Sequence, residues 1–341
     1  MKKTALALLI FLFVFLPACT PNTPTNTAQP TCGDGVCAGP ENAESCPADC
    51  PMDPGQNPAV TRNVPTQNSP QPDGPPPASP STEGETVIVT NPASGAALSV
   101  RMLLSGERDA ATVVIVPGGT GCGGNFLGAG AMSANVLLDA GINVVLFDPD
   151  GRCLSEGEED QDGFIHQDGL AAVIRYAADH PGIDPSKLGI VSISFGITMA
   201  AGALARYPDL PVQFLIDFEG PATRDDTGGC DAALTGHLHD QVACDDEIFW
   251  REREALTFMP AVGVPYQRIQ TETDHAQPDN IHALQMVTAA VNGVSPWVRL
   301  NDLPVNRAYR LDETVPYLGD HQDGRVFQLV VEYIPVMLTA P

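Results

Sequence analysis

The sequence has few lysines, no long apolar run and no internal repeat, and each shortage narrows what the protein can be. Lysine occurs three times in 341 residues, and Lys plus Arg total 17 against 42 Asp plus Glu, for a formal net charge of −25. A surface of that sign repels phosphate backbones and anionic headgroups, which excludes nucleic acid as a partner. The apolar stretch from Ala5 to Leu16 falls short of the roughly 20 residues that an ordinary membrane-spanning helix needs. Without a repeat, solenoid and propeller architectures are excluded as well.

What is present begins with an export leader. Lys2 and Lys3 precede the apolar run, the charge-then-apolar order of a secretory signal. The residues closing it, Leu16-Pro17-Ala18-Cys19, resemble the lipobox of bacterial lipoproteins. That resemblance implies removal of residues 1 to 18 and lipid on Cys19. Thr20 is not the aspartate that retains such products on the inner membrane, which implies an outer-membrane or cell-surface location. Cleavage at an A-x-A-like site elsewhere, giving a soluble secreted product, is the alternative. Nine cysteines occur, and lipid on Cys19 leaves Cys32, Cys37, Cys46, Cys50, Cys122, Cys153, Cys230 and Cys244. An even set in an oxidising compartment suits disulfides, with the connectivity open.

Composition divides the chain further. Residues 19 to 31 are Pro, Thr and Asn without periodicity, a tether. Residues 32 to 50, CGDGVCAGPENAESCPADC, resemble small cysteine-rich modules of exported bacterial proteins. So short a piece buries no core and would need its own disulfides. Its acids lack EF-hand spacing and read as turn-forming and solvated. Residues 51 to 84 carry ten prolines and read as an extended spacer.

From 85 to 341 short β-branched runs alternate with longer small-residue or amphipathic ones. ETVIVT (85 to 90), LSVRMLLS (98 to 105), ATVVIVP (111 to 117), NVVLFD (143 to 148), KLGIVS (187 to 192), VQFLIDF (212 to 218) and VPYQRIQ (264 to 270) read as strands. Helices are expected near 126 to 140, 167 to 180, 195 to 206, 279 to 292 and 324 to 339. Continuously apolar strands separated by helices predict an α/β, doubly wound, mostly parallel sheet, and the two more alternating first strands predict an antiparallel edge. Residues 219 to 260 exceed a simple crossover and read as a cap-like insertion, braced by a bridge between Cys230 and Cys244. Its Phe249, Trp250 and Phe258 read equally as substrate lining or as glue to the body.

Ser194 sits where the strand KLGIVS gives way to a helix. Ser192-Ile193-Ser194-Phe195-Gly196 matches the nucleophile elbow GxSxG with serine in place of the first glycine, in the strand-to-helix context that this turn requires. VVIVPGGTGCGG (113 to 124) and FDPDGRCLSEGEED (147 to 160) precede it in order. With these three segments the chain resembles the α/β-hydrolase family, among its serine esterases and dienelactone hydrolase-like members, over essentially all of 85 to 341. The resemblance implies that the N–H groups of Gly119 and Phe195 form an oxyanion hole. Cys122 and Cys153, on loops at the strand ends, are placed to pair and stiffen the oxyanion loop.

A serine hydroxyl needs a base and an acid that orients it, in the chain order Ser, acid, His for this fold. By that resemblance Asp274, in TETDHAQPDN after VPYQRIQ, is the expected acid, with Glu219 at the end of VQFLIDFE as the alternative. His321, in YLGDHQDG before the last helix, is the expected base, ahead of His275, His282, His237 and His239. The expected function is an exported, lipid-anchored serine hydrolase acting on a small-molecule ester or acyl substrate, without metal or organic cofactor. The alternatives are a peptidase resembling the dipeptidyl-peptidase branch and a non-catalytic surface-binding protein on a hydrolase scaffold. Oligomeric state is not legible.

Overall fold

β-branched and other apolar residues dominate the runs at 112–116, 143–147 and 188–193, and every residue in them is buried. Strand side chains alternate between faces, so runs buried at every position have cover on both sides. The computed structural model, which describes residues 84–227, 242–277, 279–316 and 322–340, supplies that cover. The strands are β1 (Glu85–Thr90), β2 (Ala97–Leu103), β3 (Thr112–Val116), β4 (Asn143–Phe147), β5 (Leu188–Ile193), β6 (Leu215–Phe218), β7 (Tyr266–Ile269), β8 (Val298–Leu300) and β9 (Leu303–Val305). They form one sheet in the order β1-β2-β4-β3-β5-β6-β7-β8-β9. β3 to β8 run parallel; β1 and β2 form the expected antiparallel edge, and β9 returns antiparallel on the far side.

The longer helices are α1 (Ala134–Asp139), α2 (Phe164–Asp179), α3 (Gly196–Arg206), α4 (Ile281–Asn292) and α5 (Val326–Leu338). Val114, Val116, Val145 and Ile190 pack against Leu170, Ile174, Met199 and Leu284 of α2, α3 and α4. Their strand neighbours Val113, Ile115, Val144 and Val191 pack against Leu137 and Leu138 of α1 and Phe327 and Val330 of α5 on the other face. A period of two along each strand therefore feeds two cores. Among the described residues no helix is long and apolar enough to cross a membrane.

Two details depart from the sequence reading, and a third decides between alternatives it left open. α1 starts at Ala134 rather than near 126, because Gly130 takes a φ of +139° and Ser133 then caps the helix, accepting the N–H of Asn135 at 3.3 Å. β8 and β9 were not expected; each is three residues long, and Pro304 confines β9 to an edge. In the insertion Trp250 is fully buried with its Nε1–H on the Ala243 carbonyl at 2.9 Å, and Phe258 packs against the body with its ring 6.4 Å from Phe164. These two aromatics fasten the insertion to the body. Cys244 is disulfide-bonded. Cys19, Cys32, Cys37, Cys46, Cys50, Cys230, His237, His239 and His321 lie outside the described residues.

Candidate active site

Ser194 follows β5 with a φ of +51°, a conformation in which a residue with a Cβ is strained. Its N–H donates to the Phe218 carbonyl at 2.8 Å, so the end of β6 holds the turn. Gly196 opens α3 directly behind it. A Cβ at that position would lie 2.6 Å from the Pro117 carbonyl oxygen and 2.8 Å from that of Val116, so the elbow closes only around glycine. Ser192 fits where a glycine was expected because its hydroxyl turns into the sheet toward Asp217 Oδ1, 3.4 Å away.

The loop after β3 lies against Ser194. A Cβ at Gly118 would stand 2.9 Å from Ser194 Cβ, and Gly119 next to it has a φ of +52°. Cys122 and Cys153 form the expected disulfide, tying this loop to the one after β4. Asp148 reinforces the joint by accepting the N–H of Gly123 at 3.0 Å and of Leu154 at 3.1 Å, the residue following each cysteine.

The histidine on Ser194 is His275. Its Nε2 is 2.8 Å from Ser194 Oγ, and its Nδ1 is 2.8 Å from Glu219 Oε2. The main-chain N–H of His275 donates to the same oxygen at 3.1 Å, and the Phe218 ring stacks on the imidazole at 5.7 Å and 21°. With Glu219 ionised, both ring contacts are hydrogen bonds when the proton sits on Nδ1 and Nε2 faces the hydroxyl as acceptor. Glu219 directly follows β6 and has a φ of +48°. Its side chain is buried, and Oε1 accepts the Thr271 N–H at 2.8 Å and the Thr271 hydroxyl. The imidazole, 29 % exposed, is the wet end of the chain. Ser194, Glu219 and His275 thus follow β5, β6 and β7 in turn, at the carboxyl ends of adjacent parallel strands, where such sheets place their ligands.

The contacts around His275 differ from the expected set. Asp274 is the more distant acid: its Oδ1 accepts the N–H groups of Ala276 and Gln277, each at 2.8 Å, and stands 3.5 Å from His275 Nδ1, against 2.8 Å for Glu219 Oε2. Its Oδ2 accepts from Gln270 Nε2 at 3.0 Å and from His282 Nε2 at 3.1 Å, so both oxygens are engaged in shaping the 270–280 loop. The alternative acid, Glu219, holds the imidazole instead. Among the described residues the histidine on Ser194 is His275, the neighbour of Asp274, and the expected base His321 lies outside them.

Burial alone raises the carboxyl pKa of Asp274, but the bonds from His282, Gln270 and the two backbone N–H groups outweigh it and hold the group well below the usual carboxylate range. A carboxyl whose pKa is depressed on folding adds stability that is present above its unfolded value of about 3.9 and is lost as the pH falls below it. Asp274→Asn should therefore lower stability at neutral pH and reduce the loss of stability between neutral pH and acid. Urea unfolding at a series of pH values checks this, and parallel acid limbs for the two proteins would contradict it.

Glu219, Asp274 and His275 bring ligand atoms within 4.8 Å of one another, the spacing of a cation site. Their carboxylate oxygens, however, are filled by N–H and O–H donors, which a cation would have to displace. Cys122 and Cys153 approach Asp148 similarly, but their sulfurs are bonded to each other.

No protein-family model and no curated protein matches the sequence. Solved structures do match. An esterase from Pyrococcus furiosus aligns with a TM-score of 0.55 and 18% identity over 82% of this chain and 98% of its own. A puromycin-hydrolyzing peptidase of Mycobacterium tuberculosis aligns with a TM-score of 0.56 and 14% identity over 78% of this chain. An acylaminoacyl peptidase of Pyrococcus horikoshii gives 0.53 and 13% over 75%. The chain spans 41% of the length of each of these two peptidases. At such identities the likeness concerns the fold, and the fold of this chain is the α/β-hydrolase fold.

Proposed function

We propose that the protein is an exported, lipid-anchored serine hydrolase that cleaves carboxylic esters or related acyl compounds. The observation that carries this reading is the unbroken hydrogen-bond chain from Ser194 Oγ through His275 to Glu219, 2.8 Å at each step. Ser194 attacks the substrate carbonyl while His275 Nε2 takes its proton. Glu219 holds the ring with the proton on Nδ1 and stabilises the imidazolium that forms. His275 then delivers its proton to the leaving alcohol, and water, activated by the same imidazole, releases the acid from the acyl-enzyme. The N–H groups of Phe195 and Gly119 are the proposed donors to the oxyanion, each such donor contributing roughly 10² to 10³ in rate. These steps need only protons and a nucleophile from the chain itself.

The leader, Cys19 and the Cys122–Cys153 bridge support export to an oxidising compartment, with lipid on Cys19 as the anchor and an outer-membrane or surface location. A peptidase is the second reading, favoured by the structural likeness to two peptidases. The esterase match, in contrast, spans 98% of that protein's length, which favours an ester substrate over a peptide.

A fluorophosphonate probe should label the full chain at Ser194. Hydrolysis of p-nitrophenyl esters of graded chain length should exceed that of aminoacyl anilides. A folded protein that resists the probe and cleaves nothing in either panel would favour the surface-binding role. Faster anilide cleavage would favour the peptidase.

A further inference from the structure

Beneath the Ser194–His275–Glu219 chain lies a buried ion pair that the proposed chemistry does not use. Arg268 of β7 and Asp217 of β6 are both fully buried and meet at 2.6 Å, Nη1 to Oδ2. Taking two charges out of water is costly, and well-packed apolar residues often serve stability as well. A pair kept directly under the site therefore calls for another role, and its remaining bonds identify one.

Both partners grip the same glycine. Asp217 Oδ1 accepts the N–H of Gly220 at 3.2 Å, and Arg268 Nη1 donates to the Gly220 carbonyl at 2.7 Å. The residue just before Gly220 is Glu219, whose φ of +48° is unfavourable for a residue with a side chain. Gly220 has no room to relax, since a Cβ there would lie 2.3 Å from Ile197 Cγ2 of α3. Arg268 also reaches Glu219 by a second route. Its Nε and Nη2 donate to Gln270 Oε1 at 3.2 and 2.6 Å, which turns the amide nitrogen of Gln270 toward Glu219 Oε1 (3.5 Å), Asp274 Oδ2 (3.0 Å) and Asn280 Oδ1 (2.7 Å). Tyr266 Oη completes the set, donating to Asp217 Oδ2 at 2.8 Å.

We infer that Asp217 and Arg268 are positioning residues: together they clamp the strand-end turn at Gly220 and so hold the Glu219 carboxylate on His275. The inference rests on the hydrolase reading above. It needs arginine specifically, because a planar fork serves Asp217, Gly220 and Gln270 at once, whereas the ammonium of lysine is a single point of contact.

Replacing one partner alone leaves a bare buried charge and destabilises the protein. The test therefore uses the double variant Asp217→Asn/Arg268→Gln in the full chain, which removes both charges together. Folding is checked by circular dichroism and activity with a p-nitrophenyl ester. The double variant should fold and lose roughly 10- to 100-fold in kcat, the cost of a misplaced group remote from the chemistry, with KM changed by less than about threefold. In a Glu219→Gln background the same pair of changes should cost less than about threefold more, because the clamp acts through Glu219. Arg268→Lys should keep the fold without restoring kcat. Wild-type kcat in the double variant, or a full additional loss on top of Glu219→Gln, overturns the clamp. A Ser194→Ala control that retains activity overturns the hydrolase reading and the clamp with it; an inactive control beside a fully active double variant overturns the clamp alone.

Discussion

Ser194→Ala is expected to abolish ester hydrolysis, with kcat falling on the order of 10⁴- to 10⁶-fold and the thermal transition nearly unchanged. Among the described residues the Ser194 hydroxyl is the one hydrogen-bonded to His275, and on the proposed reading it forms the acyl-enzyme. Half-buried Ser194 occupies a turn whose shape is held by Gly196, Gly118 and the Phe218 carbonyl, none of which depends on Oγ. Alanine accepts the same backbone with the same Cβ, so the loss belongs to chemistry rather than folding. The measurement is kcat for a p-nitrophenyl ester together with fluorophosphonate labelling. Retained labelling in the variant would move the nucleophile elsewhere.

His275→Ala carries an effect of the same size, because a serine without its base falls back to the residual catalysis of the oxyanion donors. It also separates the histidine found on Ser194 from the expected base, His321. His275 stands between Ser194 and Glu219, so its removal breaks the chain at both 2.8 Å contacts, and a loss of about 10⁴-fold or more in kcat follows. His321→Ala is expected to stay within about tenfold of wild type, since on this account it takes no proton from Ser194. The inverse pattern, an active His275→Ala beside an inactive His321→Ala, would return the base to the loop before α5.

Much of this was legible in the residues. Continuous apolar runs at 112–116, 143–147 and 188–193 required a sheet covered on both faces, and the small residues around Ser194 required a tight strand-to-helix turn. The Cys122–Cys153 bridge followed from both cysteines lying on loops at the same end of the sheet. The triad was only partly legible. The chain order Ser, acid, His is kept by Ser194, Glu219 and His275, with the acid one strand earlier than expected and the histidine ahead of β8 and β9 rather than after them. Asp274 and His275 are adjacent, so position along the chain favours neither as the group facing the serine. The direction of each side chain decides, and that direction comes from contacts distant in sequence: Gln270 and His282 draw Asp274 inward, while Glu219 and the Phe218 ring hold His275 outward over Ser194. A usable signal did exist. Glu219 is an acid directly after a buried strand and before a glycine, a place where a solvated carboxylate has no reason to be. The Arg268–Asp217 pair was illegible because each residue, read alone, looks like a polar break in a short strand.

The most direct test is the crystal structure of the full chain trapped at Ser194 by a fluorophosphonate. The account predicts His275 Nε2 within hydrogen-bond distance of the phosphonyl-serine, with Nδ1 on Glu219 Oε2. An imidazole from any other residue in that place, or a His275 ring turned away from Glu219, would contradict it.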